Sequence, residues 1–560
     1  MGKGLVTLVN PNLVHPPITP YALDILTTSL EDNGFDVDVV DLSFRRDDWR
    51  TALQEYFTGR DPVLIGITIR NTDTIYPQEQ RVFINSHRDI INQIKDLITA
   101  PIVAGGVGFS SMPFALVDYF DIPFGVKGPG ERPIVSLADT ILSGGNPHAI
   151  PELIINSGGG RVHRVPPQPR RPRTRDAVAA NIRPAQPSTA YRRHSGVARR
   201  VDNLAYYQRG GLGNILTKNG CPFACTHCVE PDAKGMQFTR REVHAVVDEM
   251  EQLNRQGVYD LHTTDSEFNL LITHSKAVLE EVIRRKHADD TSPLHRLRLW
   301  IYSQPAPFDE ELMALLADAG CAGINVAPDH VREDLLNGWK ITAGGSRFYN
   351  GDDVDLLCSL ARTYEIPVMT EVLLGMPGET EQTLRECVER SLRWDVAVVG
   401  YTLGIRVFPY SPLGKQLAED CAGRFTVPGL QSNTALEPIV LIPLESCATA
   451  LQYERQFLFD DQGRIRPVYY FSPDLPEERH TIESPNGRWV NSLNLLRELV
   501  PASEHHRVML PTLPGLTEDD NNYADNPFLL QLVKLGYKGA FWSHWPNRQQ
   551  IMRVRTASPA

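Results

Sequence analysis

The residues with the clearest chemical potential are three closely spaced cysteines, Cys221, Cys225 and Cys228, in the order C-x3-C-x2-C. Thiolates at this spacing can bind three corners of a 4Fe-4S cubane and leave the fourth iron without a protein ligand. A structural zinc site is the alternative, but zinc normally takes four ligands and no second pair of cysteines follows nearby. His227 lies between two of the cysteines, where its direction alternates away from theirs. We therefore expect a cluster whose open iron takes an exogenous ligand.

The other five cysteines show no ligand-like spacing: Cys321, Cys358, Cys387, Cys421 and Cys447. In a reducing compartment such cysteines are mostly free thiols. The N-terminal segment lacks the length and cleavage site of a secretory signal, and no apolar run is long enough to cross a membrane. We expect a cytoplasmic protein.

The cysteine loop opens a series of alternating strand-like and helical segments between residues 211 and 412. Six such units predict a partial, parallel (β/α)6 barrel with functional groups at the carboxyl ends of its strands. The predicted second strand ends in TTDSEFN, which contains Asp265 and Glu267, and the third ends at Ser303. These side chains are expected near the cysteines. Capping of the following helix is the alternative role for Glu267.

Residues 1–145 alternate in the same way and predict an α/β domain with a doubly wound parallel sheet. Ligands of such sheets bind outside the carboxyl ends of the strands. Glycines there let the backbone approach a bulky ligand. The complete G-x-G-x-x-G fingerprint is missing, which disfavours a nicotinamide cofactor. The candidate binding residues at these turns are Arg70, Asn71, Gly105, Gly106, Gly108, Gly128 and Gly130.

The remaining segments carry no motif that names a chemistry. Residues 146–210 are rich in Arg and Pro and predict a linker, while residues 413–560 predict a mixed α+β region. The chain has 560 residues and a formal net charge of -12, which argues against a general nucleic-acid-binding surface. Its composition is that of a soluble globular protein, with no membrane partner expected.

The cysteine loop on a strand-helix barrel resembles the radical S-adenosylmethionine (SAM) superfamily. The resemblance implies that the amino and carboxylate groups of SAM chelate the open iron. It also implies an electron donor of the flavodoxin or ferredoxin type, whose electron cleaves SAM to methionine and a 5′-deoxyadenosyl radical. Asp265 and Glu267 match the acidic segment that binds the SAM amino group, where a carboxylate can accept a charge-assisted hydrogen bond. Ser303 matches a position on the same cavity.

The front domain, with GGVGFSSMP and GVKGPGE at its strand ends, resembles that of the cobalamin-dependent (class B) radical SAM methyltransferases. The resemblance implies that cobalamin lies on the carboxyl edge of the front sheet. The D-x-H-x-x-G motif is absent, which implies a cobalt without a protein histidine ligand. By position, Arg70 or Asn71 approaches the lower cobalt face. The implied activity moves a methyl group from SAM, via methylcobalamin, to an unactivated centre.

The segments DSEFNL, GINVAPDH and GIRVFPYSPL are similar to those of the phosphinothricin-pathway P-methyltransferases. This implies a small-molecule or peptidyl substrate, the phosphinate phosphorus of N-acetyl-demethylphosphinothricin or its peptide, in antibiotic biosynthesis. Arg406 and Lys340 are the candidate cations for its phosphinate and carboxylates. Two alternatives stay open: a carbon methyltransferase or cyclase that acts on another natural-product intermediate, and a non-enzymatic cobalamin- or metal-binding regulator.

Overall fold

The fold is that of a computed structural model, and it describes residues 2–13, 17–75, 77, 82–166, 201–209, 211–341, 348–432, 438–476 and 487–510. Three parts follow one another along the chain: a front α/β unit, a strand-helix barrel and a C-terminal region. None of the helices in the described ranges has both the length and the apolar character needed to cross a membrane.

The front unit is built on a seven-stranded sheet in the order β2-β1-β3-β4-β5-β6-β7, in which the first five strands are parallel. Its strands are β1 (Leu5–Asn10), β2 (Asp36–Asp41), β3 (Leu64–Thr68), β4 (Ile102–Gly105), β5 (Phe124–Val126), β6 (Leu153–Asn156) and β7 (Val162–Arg164). Its helices are α1 (Tyr21–Asp32), α2 (Trp49–Phe57), α3 (Ile84–Leu97), α4 (Val107–Ser111), α5 (Pro113–Tyr119) and α6 (Glu131–Leu142). The order 2-1-3-4-5 is that of a doubly wound sheet whose ligand site lies at the carboxyl ends of β1 and β3.

The front sheet extends beyond residue 145, where the sequence predicted a linker to begin. The strands β6 and β7 pair antiparallel with β5 and with each other, so the sheet continues to Arg164. Their apolar residues Leu153, Ile154 and Ile155 are buried, which explains why this part of the segment packs. Residues 167–200, which hold most of the Arg and Pro residues of the predicted linker, lie outside the described residues.

The barrel confirms the predicted partial (β/α)6 architecture, with six parallel strands in the order β15-β14-β13-β12-β11-β8. Its strands are β8 (Gly213–Ile215), β9 (Lys218–Asn219), β10 (Thr239–Arg240), β11 (Asp260–Thr263), β12 (Arg298–Ser303), β13 (Cys321–Asp329), β14 (Val368–Leu374) and β15 (Val398–Leu403). Its helices are α7 (Asn203–Gln208), α8 (Glu230–Lys234), α9 (Val243–Arg255), α10 (Ile272–Ala288), α11 (Glu310–Ala319), α12 (Glu333–Trp339), α13 (Gly351–Thr363) and α14 (Glu381–Ser391).

The C-terminal region completes both of the other parts. It comprises β16 (Ile405–Arg406), α15 (Pro412–Cys421), β17 (Leu430–Gln431), α16 (Ala450–Arg455), β18 (Tyr469–Tyr470), α17 (Gly487–Leu499) and β19 (Val508–Met509). The strand β19 pairs with β15 and extends the barrel sheet by a seventh parallel strand. Apolar residues from Ile405 to Val468 share one core with the front sheet and α3 to α5.

Buried polar contacts fix the C-terminal region against the front unit. Glu454 in α16 accepts hydrogen bonds from the Ala115 amide at the start of α5 (2.8 Å) and from the Tyr410 hydroxyl (2.8 Å). Arg406 donates to Asp73, at 3.1 Å, and both side chains are buried. The contacts of Glu454 with Ala115 and of Arg406 with Asp73 join residues more than 300 positions apart in the chain. The carboxyl edge of the front sheet is therefore held in a fixed relation to the barrel.

Candidate active site

The three cysteines lie in one loop between the short strand β9 and helix α8, directly after the first barrel strand. Cys221 and Cys225 are buried and Cys228 is partly buried. The loop packs into a small apolar cluster of its own, formed with Phe223, Leu270, Phe238 and Phe348. The amide of Glu230 donates to Cys228 Sγ at 3.4 Å, a contact that also suits an iron-bound thiolate. The predicted cysteines are thus gathered at the mouth of the barrel.

The electrostatics of these thiols call for a positive partner. Burial raises the pKa of Cys221 to about 12 and also raises the pKa values of Cys225 and Cys228. Binding of iron would offset the cost of ionising them, since thiolates are the ligand form. Across the described part of the chain, no three His, Cys, Asp or Glu side chains converge on a single metal ion. In a cubane each thiolate binds a different iron, so the sulfurs need not converge.

Backbone hydrogen bonds hold the cysteine loop in shape. The amides of Ala224 and Thr226, on either side of Cys225, donate to the carbonyls of Ile341 and Trp339, both at 2.9 Å. The Thr226 carbonyl accepts from the Leu413 amide at 2.9 Å. Contacts with the barrel and the C-terminal region therefore support the loop conformation.

The two acidic residues after β11 have different surroundings. Asp265 accepts from the amide of Thr217 at 2.7 Å and forms a buried ion pair with Lys218 Nζ at 3.0 Å, so both of its oxygens are engaged within the protein. Glu267 accepts from Gln304 Nε2 at 2.6 Å through Oε1, while its Oε2 has no partner. Burial raises the pKa of Glu267 to about 8.

Glu267 does not cap the next helix, which was the alternative to a binding role. The helix α10 begins after Leu271 without any side-chain cap. The carboxylate instead interacts electrostatically with Cys221 and Cys225. The Glu267 carboxylate therefore lies within electrostatic range of the cysteine loop.

Further polar atoms without a partner surround Glu267 at the carboxyl ends of β11, β12 and β13. Burying such atoms without a hydrogen bond costs about 1–3 kcal/mol each, so a polar ligand or bound water that pairs with them is favoured. The ammonium, carboxylate and ribose hydroxyls of SAM supply matching groups, and the residues present therefore fit this cofactor. The atoms are Thr263 Oγ1, Ser266 Oγ, Ser303 Oγ, Gln304 Oε1 and Asn325 Oδ1.

A second polar group inside the barrel was not predicted from the sequence. Tyr302 donates to Glu371 Oε2 at 2.6 Å, and Asn325 Nδ2 donates to Glu371 Oε1 at 3.1 Å. Residues that flank them, such as Ile301 and Val372, face the outer core, so strand alternation directs this trio to the barrel interior. The signal in the sequence was a polar side chain within each of three mainly apolar strands, β12, β13 and β14.

The front unit presents Arg70 and Asn71 directly after β3, at the expected edge of the sheet. Arg70 keeps accessible surface, yet burial by surrounding protein lowers the pKa of its guanidinium. Its guanidinium is therefore largely surrounded by protein. Burial lowers the pKa of His262 in β11 to about 3, and the positive charge of Arg70 contributes to this shift. Arg70 thus faces the barrel.

The five predicted glycines have different roles. Gly106, with φ of 106°, and Gly108 lie against the backbone of residues 69–71, where a Cβ would be 2.6 Å and 2.7 Å from carbonyl oxygens. Gly128 faces the carbonyls of residues 232 and 233 in α8, just after the cysteine loop. Gly105 and Gly130 have room for a side chain. The first two glycines therefore fix the turn that carries Arg70.

The front histidines do not form the missing cobalt-ligand motif. His87 is buried in α3, where burial lowers its pKa to about 4, and His148 is on the surface beside His163. His15 lies outside the described residues. A cavity edge formed by Arg70, Asn71 and close-packed glycine backbone fits a flat corrin without a histidine ligand.

Replacing Gly108 by Ala is expected to displace the turn that carries Arg70 and to reduce cobalamin binding. The new Cβ would lie 2.7 Å from the Arg70 carbonyl oxygen, and such overpacking typically costs about 1–3 kcal/mol. Cobalamin content after reconstitution and the melting temperature measure the two effects.

Gly59→Ala is the control for this variant, because Gly59 has φ of 73° but open space around it. It should lose some stability and keep its cobalamin. If Gly108→Ala bound cobalamin like the unmodified protein, the turn would have no part in the binding site.

The two cations predicted to hold a phosphinate substrate are both paired inside the protein. Lys340 lies 3.2 Å from Asp329, and Arg406 lies 3.1 Å from Asp73. All four side chains are buried. The structure therefore places these cations in ion pairs, one beside the cysteine loop and one between the front unit and the C-terminal region.

Comparison with known proteins gives consistent results at three levels. The Radical SAM superfamily matches residues 215–390. The chain is 52% identical to the tryptophan 2-C-methyltransferase of Streptomyces laurentii, over 99% of this chain and 98% of that protein. The radical SAM methyltransferase TsrM from Kitasatospora setae, solved with cobalamin and a [4Fe-4S] cluster bound, is 55% identical, with full coverage of both chains and a TM-score of 0.88. The same enzyme with tryptophan and the SAM analogue aza-SAM matches with 55% identity, 99% and 100% coverage and a TM-score of 0.87.

Proposed function

The chain belongs to the cobalamin-dependent radical SAM methyltransferases, and we propose that it transfers a methyl group from SAM to carbon 2 of the tryptophan indole. The predicted family, enzyme class and cofactors are confirmed: a 4Fe-4S cluster, SAM and cobalamin. The observation that carries the substrate proposal is the 52% identity to a tryptophan 2-C-methyltransferase along nearly the whole of both chains.

The phosphinate phosphorus expected from short sequence segments finds no support in these comparisons. The similar proteins act on or bind tryptophan, as their names state. The two cations expected to hold phosphinate are engaged in buried ion pairs. A carbon acceptor, which was the alternative, therefore becomes the proposal.

We assign the cluster to Cys221, Cys225 and Cys228, and the acidic contact to SAM to Glu267. Ser303 borders the same pocket with an unpartnered hydroxyl. Asp265 would not contact SAM itself. Its ion pair with Lys218 fixes the start of the segment that carries Glu267.

Cobalamin supplies a cobalt centre that can accept a methyl group and pass it on. On the protein side, Arg70 and Asn71 occupy the edge of the front sheet that faces the barrel. A guanidinium carries no lone pair available to cobalt, so Arg70 would cover a face of the corrin without ligating it. Gly106 and Gly108 keep that turn in place.

The barrel interior offers a polar site for an amino-acid substrate. Glu371 is half-buried and receives hydrogen bonds from Tyr302 and Asn325, so its carboxylate is held in one orientation. An acceptor of this kind suits the ammonium or the indole N–H of tryptophan. Trp300 and His262 are neighbours on the same side of adjacent strands, and their rings add flat surface to this interior.

The test is an anaerobic assay of the reconstituted protein with cobalamin, a reductant, methyl-deuterated SAM and tryptophan. Mass spectrometry should find methyltryptophan with a trideuterated methyl group, and S-adenosylhomocysteine should form with it. Formation of 5′-deoxyadenosine alongside would indicate hydrogen abstraction, whereas its absence would indicate polar transfer. N-acetyl-demethylphosphinothricin in a parallel reaction should stay unlabelled. Cleavage of SAM without any labelled product would favour a cyclase or rearrangement enzyme instead.

A further inference from the structure

Lys340 is a buried cation directly beside the cysteine loop. Its neighbours Trp339 and Ile341 accept the amide hydrogens of Thr226 and Ala224, each at 2.9 Å. The backbone of Lys340 therefore runs alongside that of Cys225, because the residues on either side of both are joined by these two hydrogen bonds. Only 6% of Lys340 is exposed, so solvent screens its charge little.

The surroundings of Lys340 keep the ammonium charged. Its Nζ lies 3.2 Å from Asp329 Oδ2, and Asp329 is itself 3% exposed. Burial alone would lower the pKa of Lys340, but the carboxylate of Asp329 has the larger opposing effect and leaves that pKa well above its ordinary value. Lys340 and Cys225 also interact electrostatically. The ammonium is therefore charged and lies within electrostatic range of the cysteine loop.

Two other lysines of the described barrel that precede or follow this loop are also paired with carboxylates. Lys218 pairs with Asp265, and Lys234 pairs with Glu230 at 3.1 Å. Lys340 is the cation whose backbone is paired with the cysteine loop itself. Reduction of a cluster adds one negative charge, and the potential of an iron-sulfur cluster depends on net charge and burial.

We propose that the ammonium of Lys340 stabilises the reduced cluster and so raises its midpoint potential, with Asp329 acting in the opposite direction. This rests on the assignment of the cluster to Cys221, Cys225 and Cys228. The consequence for function is that a donor of moderate potential can load the cluster with an electron. Lys340 acts through charge, without touching substrate.

The experiment is a redox titration of the anaerobically reconstituted full chain, followed by electron paramagnetic resonance of the reduced cluster. In Lys340→Met, the ratio of reduced to oxidised cluster at a fixed potential should fall about tenfold, which is about 59 mV for a one-electron couple. Lys340→Arg keeps the charge and should titrate close to the unmodified protein. Asp329→Asn should shift the ratio upward.

The midpoint potential should shift in opposite directions in Lys340→Met and Asp329→Asn if charge is the cause. General damage to the site would shift the potentials of both variants in the same direction. Lys276→Met is the matched control, since Lys276 pairs with Asp309 and Glu311 on the outside of the barrel. An unshifted potential in Lys340→Met with full iron content would overturn the proposal. If that variant loses its cluster, an unshifted Asp329→Asn overturns it. An unmodified protein that takes up no cluster would remove the cysteine assignment, and this proposal with it.

Discussion

Replacing Cys225 by Ala is expected to abolish methyl transfer and cluster binding while leaving the fold and cobalamin binding intact. The loop around Cys225 is held by amide hydrogen bonds of Ala224 and Thr226, which the substitution does not remove. The front sheet that carries Arg70 packs in two hydrophobic cores, and neither of them contains the cysteine loop. Iron and sulfide content, cobalamin content, circular dichroism and the tryptophan assay measure the four properties separately. Activity should fall below detection, because a cluster with two remaining protein thiolates is not retained.

Cys358→Ala is the matched control. Cys358 is buried in α13 within the barrel core and is remote in sequence from the cysteine loop. It should keep cluster and activity and lose stability on the order of 1 kcal/mol, the value of a small buried apolar group. If Cys225→Ala unfolded the protein instead, the three cysteines would be holding a structural metal.

The strand-helix alternation allowed both sheets to be predicted because each parallel strand is a short apolar run followed by an amphipathic helix. The carboxyl ends of the strands follow from the same pattern, so Arg70, Glu267 and Ser303 could be placed at the two facing edges. The alternation does not predict the order of the strands within a sheet or the arrangement of the two sheets. Both depend on long-range contacts such as that of Arg406 with Asp73, and local sequence periodicity carries no information about such contacts.

Charge partners inside the site were the least predictable feature. Asp265 and Glu267 stand two positions apart and were equivalent candidates in the sequence. The structure separates them, because Lys218 from before the cysteine loop reaches Asp265 and leaves Glu267 Oε2 without a partner. In the same way, Lys340 was expected to be available to a substrate anion, but burial pairs it with Asp329. Type and spacing identify a charged residue, whereas its partner depends on tertiary packing.

The C-terminal region illustrates the same limit on a larger scale. Its sequence carries no motif that names a chemistry, and the predicted mixed α+β region had no predicted packing partner. In the structure β19 joins the barrel sheet, and Glu454 accepts a hydrogen bond from the Ala115 amide at the start of α5. Burial raises the pKa of Glu454 to about 8. The C-terminal region therefore contacts both the barrel and the front unit, through residues that are far apart in the sequence.

Replacing Glu267 by Gln is expected to weaken SAM binding by about 10- to 100-fold and to lower methyl transfer at least as much. A hydrogen bond to a charged group is worth about 1.5–3 kcal/mol, and each 1.4 kcal/mol is tenfold in affinity. Gln keeps the size and the contact to Gln304 but removes the negative charge that Oε2 offers to an ammonium. Equilibrium binding of SAM to the cluster-loaded protein, together with the assay, measures this directly.

The neighbouring acid provides the contrast that makes this prediction specific. Asp265→Asn leaves Lys218 buried without its counter-charge, and breaking such a pair costs about 3–5 kcal/mol, so its melting temperature should fall while Glu267→Gln keeps a stable fold. Glu310→Gln on the exposed face of α11 should change neither property. SAM affinity that stayed unchanged in Glu267→Gln, together with an altered paramagnetic spectrum of the cluster, would assign Oε2 to the open iron instead of the SAM ammonium. Glu267 has a free oxygen next to two cluster thiols, so this measurement decides which of the two cations it binds.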